Sequence, residues 1–177
     1  MPTIDPKRST LVVVDFQDRL MPVIAEAETA IANARRLLEG AALVGIPVVF
    51  TEQNPKGLGR TVAGLPTAGH PVIAKQTFDS LPAPGFLPAL APAHALVVVG
   101  CEAHVCVCQT VLGLLARKRQ VYVVRDAVGS RAAESKETAL RRMERHGAEI
   151  VTTEMVLFEW VESAEHPKFR DVAKLVR

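Results

Sequence analysis

The chain has 177 residues, 49% of them hydrophobic, and carries 21 Lys and Arg against 19 Asp and Glu for a net charge of +2. That length suits one domain, 1–177, with a core that needs no disulfide or metal staple, and the near-neutral balance directs no strong field at a polyanion. No apolar run approaches the roughly 20 residues of a spanning helix, and no signal-peptide core follows Met1, so the expectation is a cytoplasmic chain without a membrane partner.

Residues 11–14, Leu-Val-Val-Val, read as a short strand covered on both faces, and Asp15 follows at its carboxyl end. Asp15 suits a turn or a helix cap, yet open α/β sheets gather ligands beyond the carboxyl ends of their strands, so it is also a candidate for chemistry. Phe16 and Gln17 come next, as packing or as a pocket lip. Ile31, Ala34, Leu37, Leu38, Ala41 and Ala42 recur at helical spacing and predict an amphipathic helix over 29–44, stopped by Gly45. A second strand over 46–51 completes a unit that crosses over right-handedly onto a parallel sheet.

Residues 52–70 are rich in Gly and Pro and predict a long loop of the functional kind. Its Gly57-Leu58-Gly59 has neither the third glycine of a dinucleotide loop nor the Lys-Ser/Thr ending of a P-loop, so no cofactor is expected. Residues 71–74 predict a third strand ending at Lys75, which reads as a surface charge or as the cation of a site. Pro82, Pro84, Pro88 and Pro92 confine 80–92 to a loop or a single helical turn.

Residues 96–99 predict a buried strand closed by Gly100. Val105, Cys108, Val111, Leu112 and Leu115 then form one apolar stripe of a helix that Cys106 opens. A thiol in a first helical turn lies near unpaired amides, which favour thiolate, although a cysteine among apolar residues also packs as ordinary core. Cys101, Cys106 and Cys108 make an odd count that fits a reducing compartment, and no second ligand pair supports zinc, so no metal is expected.

Further strands are predicted over 120–124 and 150–153, with helices over 134–146, 154–162 and 168–176. The basic clusters Arg117-Lys118-Arg119 and Arg141, Arg142 and Arg145 fit a helix end and a face balanced by Glu137 and Glu144, so no nucleic-acid partner is expected. The alternation of elements implies a three-layer α/β/α sandwich with a mainly parallel, about six-stranded, Rossmann-like sheet. Its high apolar content also predicts a homo-oligomer.

Three separated motifs, Val14-Asp15-Phe16-Gln17, Lys75 and Gly100-Cys-Glu-Ala-His-Val-Cys106-Val, resemble the cysteine hydrolases of the isochorismatase-like superfamily. Thr51-Glu-Gln-Asn-Pro-Lys-Gly-Leu-Gly59 and His166-Pro-Lys-Phe169 make the chain most similar to the isochorismatase domain-containing branch, and the likeness runs through nearly its whole length. The resemblance implies a triad of Asp15 as base, Lys75 as orienting cation and Cys106 as nucleophile. It also implies a cis peptide between Cys101 and Glu102, and an oxyanion hole built from the backbone amides of Glu102 and Cys106.

The implied reaction is hydrolysis of a small amide, carbamoyl or related substrate through a thioester. Phe16, Gln17, Gln53, Leu58, Phe78, His104 and Val105 are the candidate substrate-binding residues. The Asp-x-His-x-x-His metal pattern of nicotinamidases is missing, Ala103 stands where many relatives have threonine, and Cys106 argues against the vinyl ether isochorismate. Two other readings stand beside this one. His104 or His94 would serve Cys106 in a papain-like pair, or the chain would be a thiol redox sensor or a non-catalytic scaffold that retains the triad.

Overall fold

The computed structural model describes residues 3–176. Six strands, β1 Ser9–Val14, β2 Val48–Gln53, β3 Val72–Lys75, β4 Ala95–Cys101, β5 Val121–Gly129 and β6 Glu149–Val151, pair in the order β3-β2-β1-β4-β5-β6. Every pairing is parallel. Helices α1 Ala27–Val44, α2 Pro55–Leu58, α3 Phe86–Ala89, α4 Cys108–Ala116, α5 Ala133–Arg145, α6 Thr153–Val161 and α7 Phe169–Leu175 lie between and after them. The result is the expected α/β sandwich.

The unbroken valine runs are explained by two covered faces, because alternate residues of one strand point to opposite layers. Leu11, Val13, Val97, Val99, Tyr122 and Val124 pack with Leu37 and Ala41 of α1 and with Leu157 and Trp160 of α6. Val12, Val14, Leu96, Val98, Val121 and Val123 pack with Val111 and Leu114 of α4 and with Leu140 and Met143 of α5. Each such large side chain contributes about 1.5–3 kcal/mol by leaving water. Gly45, at φ 78, stops α1 as expected.

The last strand ends at Val151, short of the expected 150–153, because Thr152 caps α6 and Thr153 begins it, and three larger differences from the sequence reading bear on the site. β2 runs on through Glu52 and Gln53, where a loop was expected, and the short α2 follows. β5 extends past 124 to Gly129, because an irregularity opposite Val98 and Gly100 lets the strand resume pairing beyond exposed Arg125 and half-buried Asp126. Finally, α4 starts at Cys108, so Cys106 does not open it; Cys106 sits in a π-helical turn over Ala103–Val107. The inward stripe of α4 is correspondingly Cys108, Val111 and Leu114, with Leu112 and Leu115 only partly buried.

Strand order reverses between β1 and β4, which makes their carboxyl ends the switch point where such sheets open a crevice. Gly100 lets the two strands meet there: it sits at φ +138, and a Cβ on it would lie 2.1 Å from the Val14 carbonyl oxygen. Gly100→Ala is therefore expected to cost about 2–4 kcal/mol from the combined clash and backbone strain. Urea denaturation checks this, and an unchanged midpoint would refute so close an approach.

Candidate active site

Asp15 is the first residue beyond β1 and turns the chain at φ 52, a left-handed conformation that Asp tolerates better than most residues. Its amide donates to Thr51 O at 3.1 Å, and Gln17 N donates back to Asp15 O at 2.9 Å. One carboxylate oxygen, Oδ1, accepts from Thr51 Oγ1 at 2.7 Å. Thr51 can do this because it pairs with Val14 across β1 and β2, so its hydroxyl stands beside the next residue.

Lys75 ends β3, and β2 separates it from β1. With strands spaced about 4.8 Å apart, a side chain must bridge roughly 10 Å to join those ends, which suits the long lysine stem. Lys75 Nζ donates to Asp15 Oδ2 at 2.7 Å and to Gln53 Oε1 at 2.8 Å. The side chains of Lys75 and Asp15 are both 0% exposed, so the ion pair is shut off from solvent.

Cys106 enters from the π-helical turn after β4, and its thiol lies close enough to Asp15 and Lys75 for both charges to act on it. Sulfur, carboxylate and ammonium, carried by residues 31 or more positions apart in the chain, thus converge. The thiol is not acidified as the sequence suggested. Burial, and then the Asp15 charge, push it up to about 12, against a smaller downward pull from Lys75. Amides that would have favoured thiolate are partly committed, since Val105 N and Val107 N both donate to Glu102 O. The resting group is a thiol with a carboxylate beside it.

The Cys101–Glu102 peptide is cis, as the resemblance implied. The side chain of Glu102 pairs with Arg131 Nε at 2.8 Å, which holds this turn from outside. Cys101 is buried and its thiol is pushed up to about 12, chiefly by burial. Cys108 is also buried, with its pKa raised for the same reason. All three thiols are free, and Cys106 is the least buried at 6% exposure. Among the described residues, no group of three or more His, Cys, Asp or Glu could hold a metal.

The candidate pocket residues divide. Phe16 belongs to the core, and Gln17 is buried with its amide spent on Gln53 and Gly59. Gln53 is buried against Lys75 and Gln76. Leu58, His104 and Val105 are half-buried, and Phe78 is exposed. His104 Nδ1 lies 3.0 Å from Ser130 Oγ and lines a cavity of about 390 Å³ with Cys108 and Arg142. Another cavity, of about 500 Å³, reaches Lys75 from the side of Lys56, Thr77 and Pro82. The sequence assigns no role to Thr51 or Arg131; the signals for Thr51 are its place at a strand end and in the family-like segment it opens.

Residues 9–155 match the model of the isochorismatase domain. Isochorismatase domain-containing protein 1 of Danio rerio is 38% identical, the match covering 98% of this chain and 62% of that protein. Isochorismatase domain-containing protein 2 of Homo sapiens is 37% identical over 97% of this chain and 84% of its own length. The chain thus spans less than two thirds of the zebrafish relative. The solved structure of the MAR1 ribonuclease from Caenorhabditis elegans superposes with a TM-score of 0.92 at 38% identity, covering 98% of this chain and 92% of that one.

Proposed function

The chain belongs to the isochorismatase-like hydrolase family, and from that premise we propose that it is a metal-independent cysteine hydrolase of a small amide, carbamoyl or related substrate, working through Asp15, Lys75 and Cys106. The observation that carries this reading is the fully buried Lys75–Asp15 pair, 2.7 Å long, beside the Cys106 thiol. A protein has little reason to bury such charges for stability alone, since desolvation offsets most of their attraction.

In the first step Cys106 Sγ attacks the substrate carbonyl carbon while its proton passes to Asp15. Because the thiol rests protonated, attack and proton transfer belong to one event, and no standing thiolate is required. The oxygen becomes an oxyanion facing the amides of Glu102 and Cys106, donors of a type worth about 100- to 1000-fold in turnover. Asp15 then gives the proton to the leaving amine as the carbon–nitrogen bond breaks, leaving a thioester. Water attacks next, losing a proton to Asp15, and collapse of that intermediate returns the proton to sulfur and releases the acid.

Independence from metal is supported by the end of β2, where the metal pattern of nicotinamidases would fall. Here Glu52 accepts from Thr61 N at 2.7 Å and from Thr61 Oγ1 at 2.9 Å, and Gln53 is held by Lys75 and Gln76. Self-association is proposed on the apolar composition together with Val72, 40% exposed on edge strand β3, and Phe78, 51% exposed beyond the end of that strand. Among the described residues, no helix is long and apolar enough to cross a membrane.

The test is a panel of small amides and carbamoyl compounds with ammonia release as readout, run beside an RNA-cleavage assay because one relative is a ribonuclease. Turnover of an amide is expected; RNA cleavage without amide turnover would overturn the proposal. Peroxide treatment is expected to inactivate without reversal, whereas cycling between defined oxidised forms would favour the redox-sensor reading. A thiol at about 12 also fixes the sign of a pH dependence. Alkylation of Cys106 by iodoacetamide in the free enzyme should rise about tenfold per pH unit between pH 7.5 and 9.5, because the thiolate fraction does. A plateau in that range would contradict it.

A further inference from the structure

Resting on the triad reading above, we propose that Gln53 is a positioning residue that aims Lys75, that Gln17 holds Gln53 in place, and that neither side chain meets the substrate. The orientation of the Gln53 amide is determined by its neighbours. Its Nε2 lies 2.7 Å from Gln76 O, which only accepts, so the nitrogen must face that carbonyl and Oε1 must face the Lys75 ammonium at 2.8 Å. Both ends of the amide are thereby used within the protein.

Gln17 fixes the backbone beneath. Its Oε1 accepts from Gln53 N at 2.7 Å while its Nε2 donates to Gln53 O at 3.0 Å, so the side-chain amide pairs with Gln53 much as a neighbouring strand would. The same Nε2 donates to Gly59 O at 2.7 Å, tying the covering loop to this strand end. Glutamine supplies one acceptor and two donors on one rigid plane, which is what these three bonds require.

The consequence falls on the lysine. An ammonium has three protons, and two are committed to the short bonds with Asp15 and Gln53. The third faces Thr77 O at 3.4 Å and Phe78 O at 3.3 Å, with the Cys106 thiol near enough to feel the ammonium's charge. Those two carbonyl contacts are long, so this proton is the one free to turn toward sulfur when negative charge appears there. Without the Gln53 acceptor the ammonium rotates about its stem and that aim is lost. Lys75 then steadies the developing thiolate through Gln53, while proton traffic runs through Asp15.

Gln53→Met and Gln53→Glu test this. Gln53→Met keeps the length and removes the acceptor. It is expected to lower kcat about 10- to 100-fold with KM within about twofold, and to slow Cys106 alkylation in the free enzyme about tenfold, the effect of one pKa unit. Gln53→Glu keeps an acceptor for Lys75 but adds a carboxylate, so its alkylation profile should shift toward higher pH. A substrate contact would instead raise KM and leave alkylation unchanged, and a merely structural role would lower Tm without moving the profile; either result overturns the proposal. Alkylation, read by mass spectrometry on the Cys106 peptide, needs no substrate. It decides the role of Gln53 even if Cys106 proves dispensable for turnover, in which case the cysteine-hydrolase reading fails separately.

Discussion

Cys106→Ala is expected to reduce turnover of any amide substrate by about 10⁴-fold or more, while changing stability by less than about 1 kcal/mol. The first figure follows from the proposed covalent route. Without sulfur there is no acyl-enzyme, and Asp15 with the two backbone amides can at most assist direct attack by water. The second follows from the small volume removed: the change deletes one sulfur at a position packed among Ala103, Val107 and Val14 on the α4 side of the sheet. Activity by ammonia release and stability by urea denaturation, measured on one preparation, give both numbers. Retained activity would end the cysteine mechanism, and collapse of stability would make Cys106 a core residue whose loss says nothing about chemistry.

The sandwich was legible because its signals are local. Runs such as Val97, Val98 and Val99 suit only strands covered on both faces, and the α1 stripe declares itself at helical spacing. In the sequence, Arg125 and Asp126 look like the end of β5, and only pairing with Gly100 and Cys101 carries the strand on to Gly129. At the site, Asp15, Lys75 and Cys106 could be named from strand ends and from resemblance. Their company could not. That Thr51 stands opposite Val14 and Gln53 opposite Lys75 is a matter of register between separate strands, which no single stretch of sequence states. The Cys106 shift runs opposite to the sequence expectation for a related reason: a position near a helix start is visible in sequence, whereas burial beside a carboxylate is not.

Lys75→Met is expected to destabilise the fold by about 3–5 kcal/mol as well as to abolish activity, because it leaves the Asp15 carboxylate buried with no counter-charge. Thr51 would still donate to Oδ1, yet one hydroxyl does not replace an ammonium in a site closed to water. Asp15→Asn should cost a comparable amount by stranding Lys75. The double variant Asp15→Asn/Lys75→Met removes both charges, so its cost should fall below the sum of the singles by at least about 2 kcal/mol, a coupling typical of groups in one network. Urea denaturation of the three variants supplies the cycle, and additive losses would mean that the 2.7 Å contact carries no mutual stabilisation. Activity should not follow stability back in the double variant. An ion pair kept for the fold becomes dispensable once both halves are gone, whereas the proposed mechanism requires both Asp15 as proton carrier and Lys75 as partner of the thiolate for turnover.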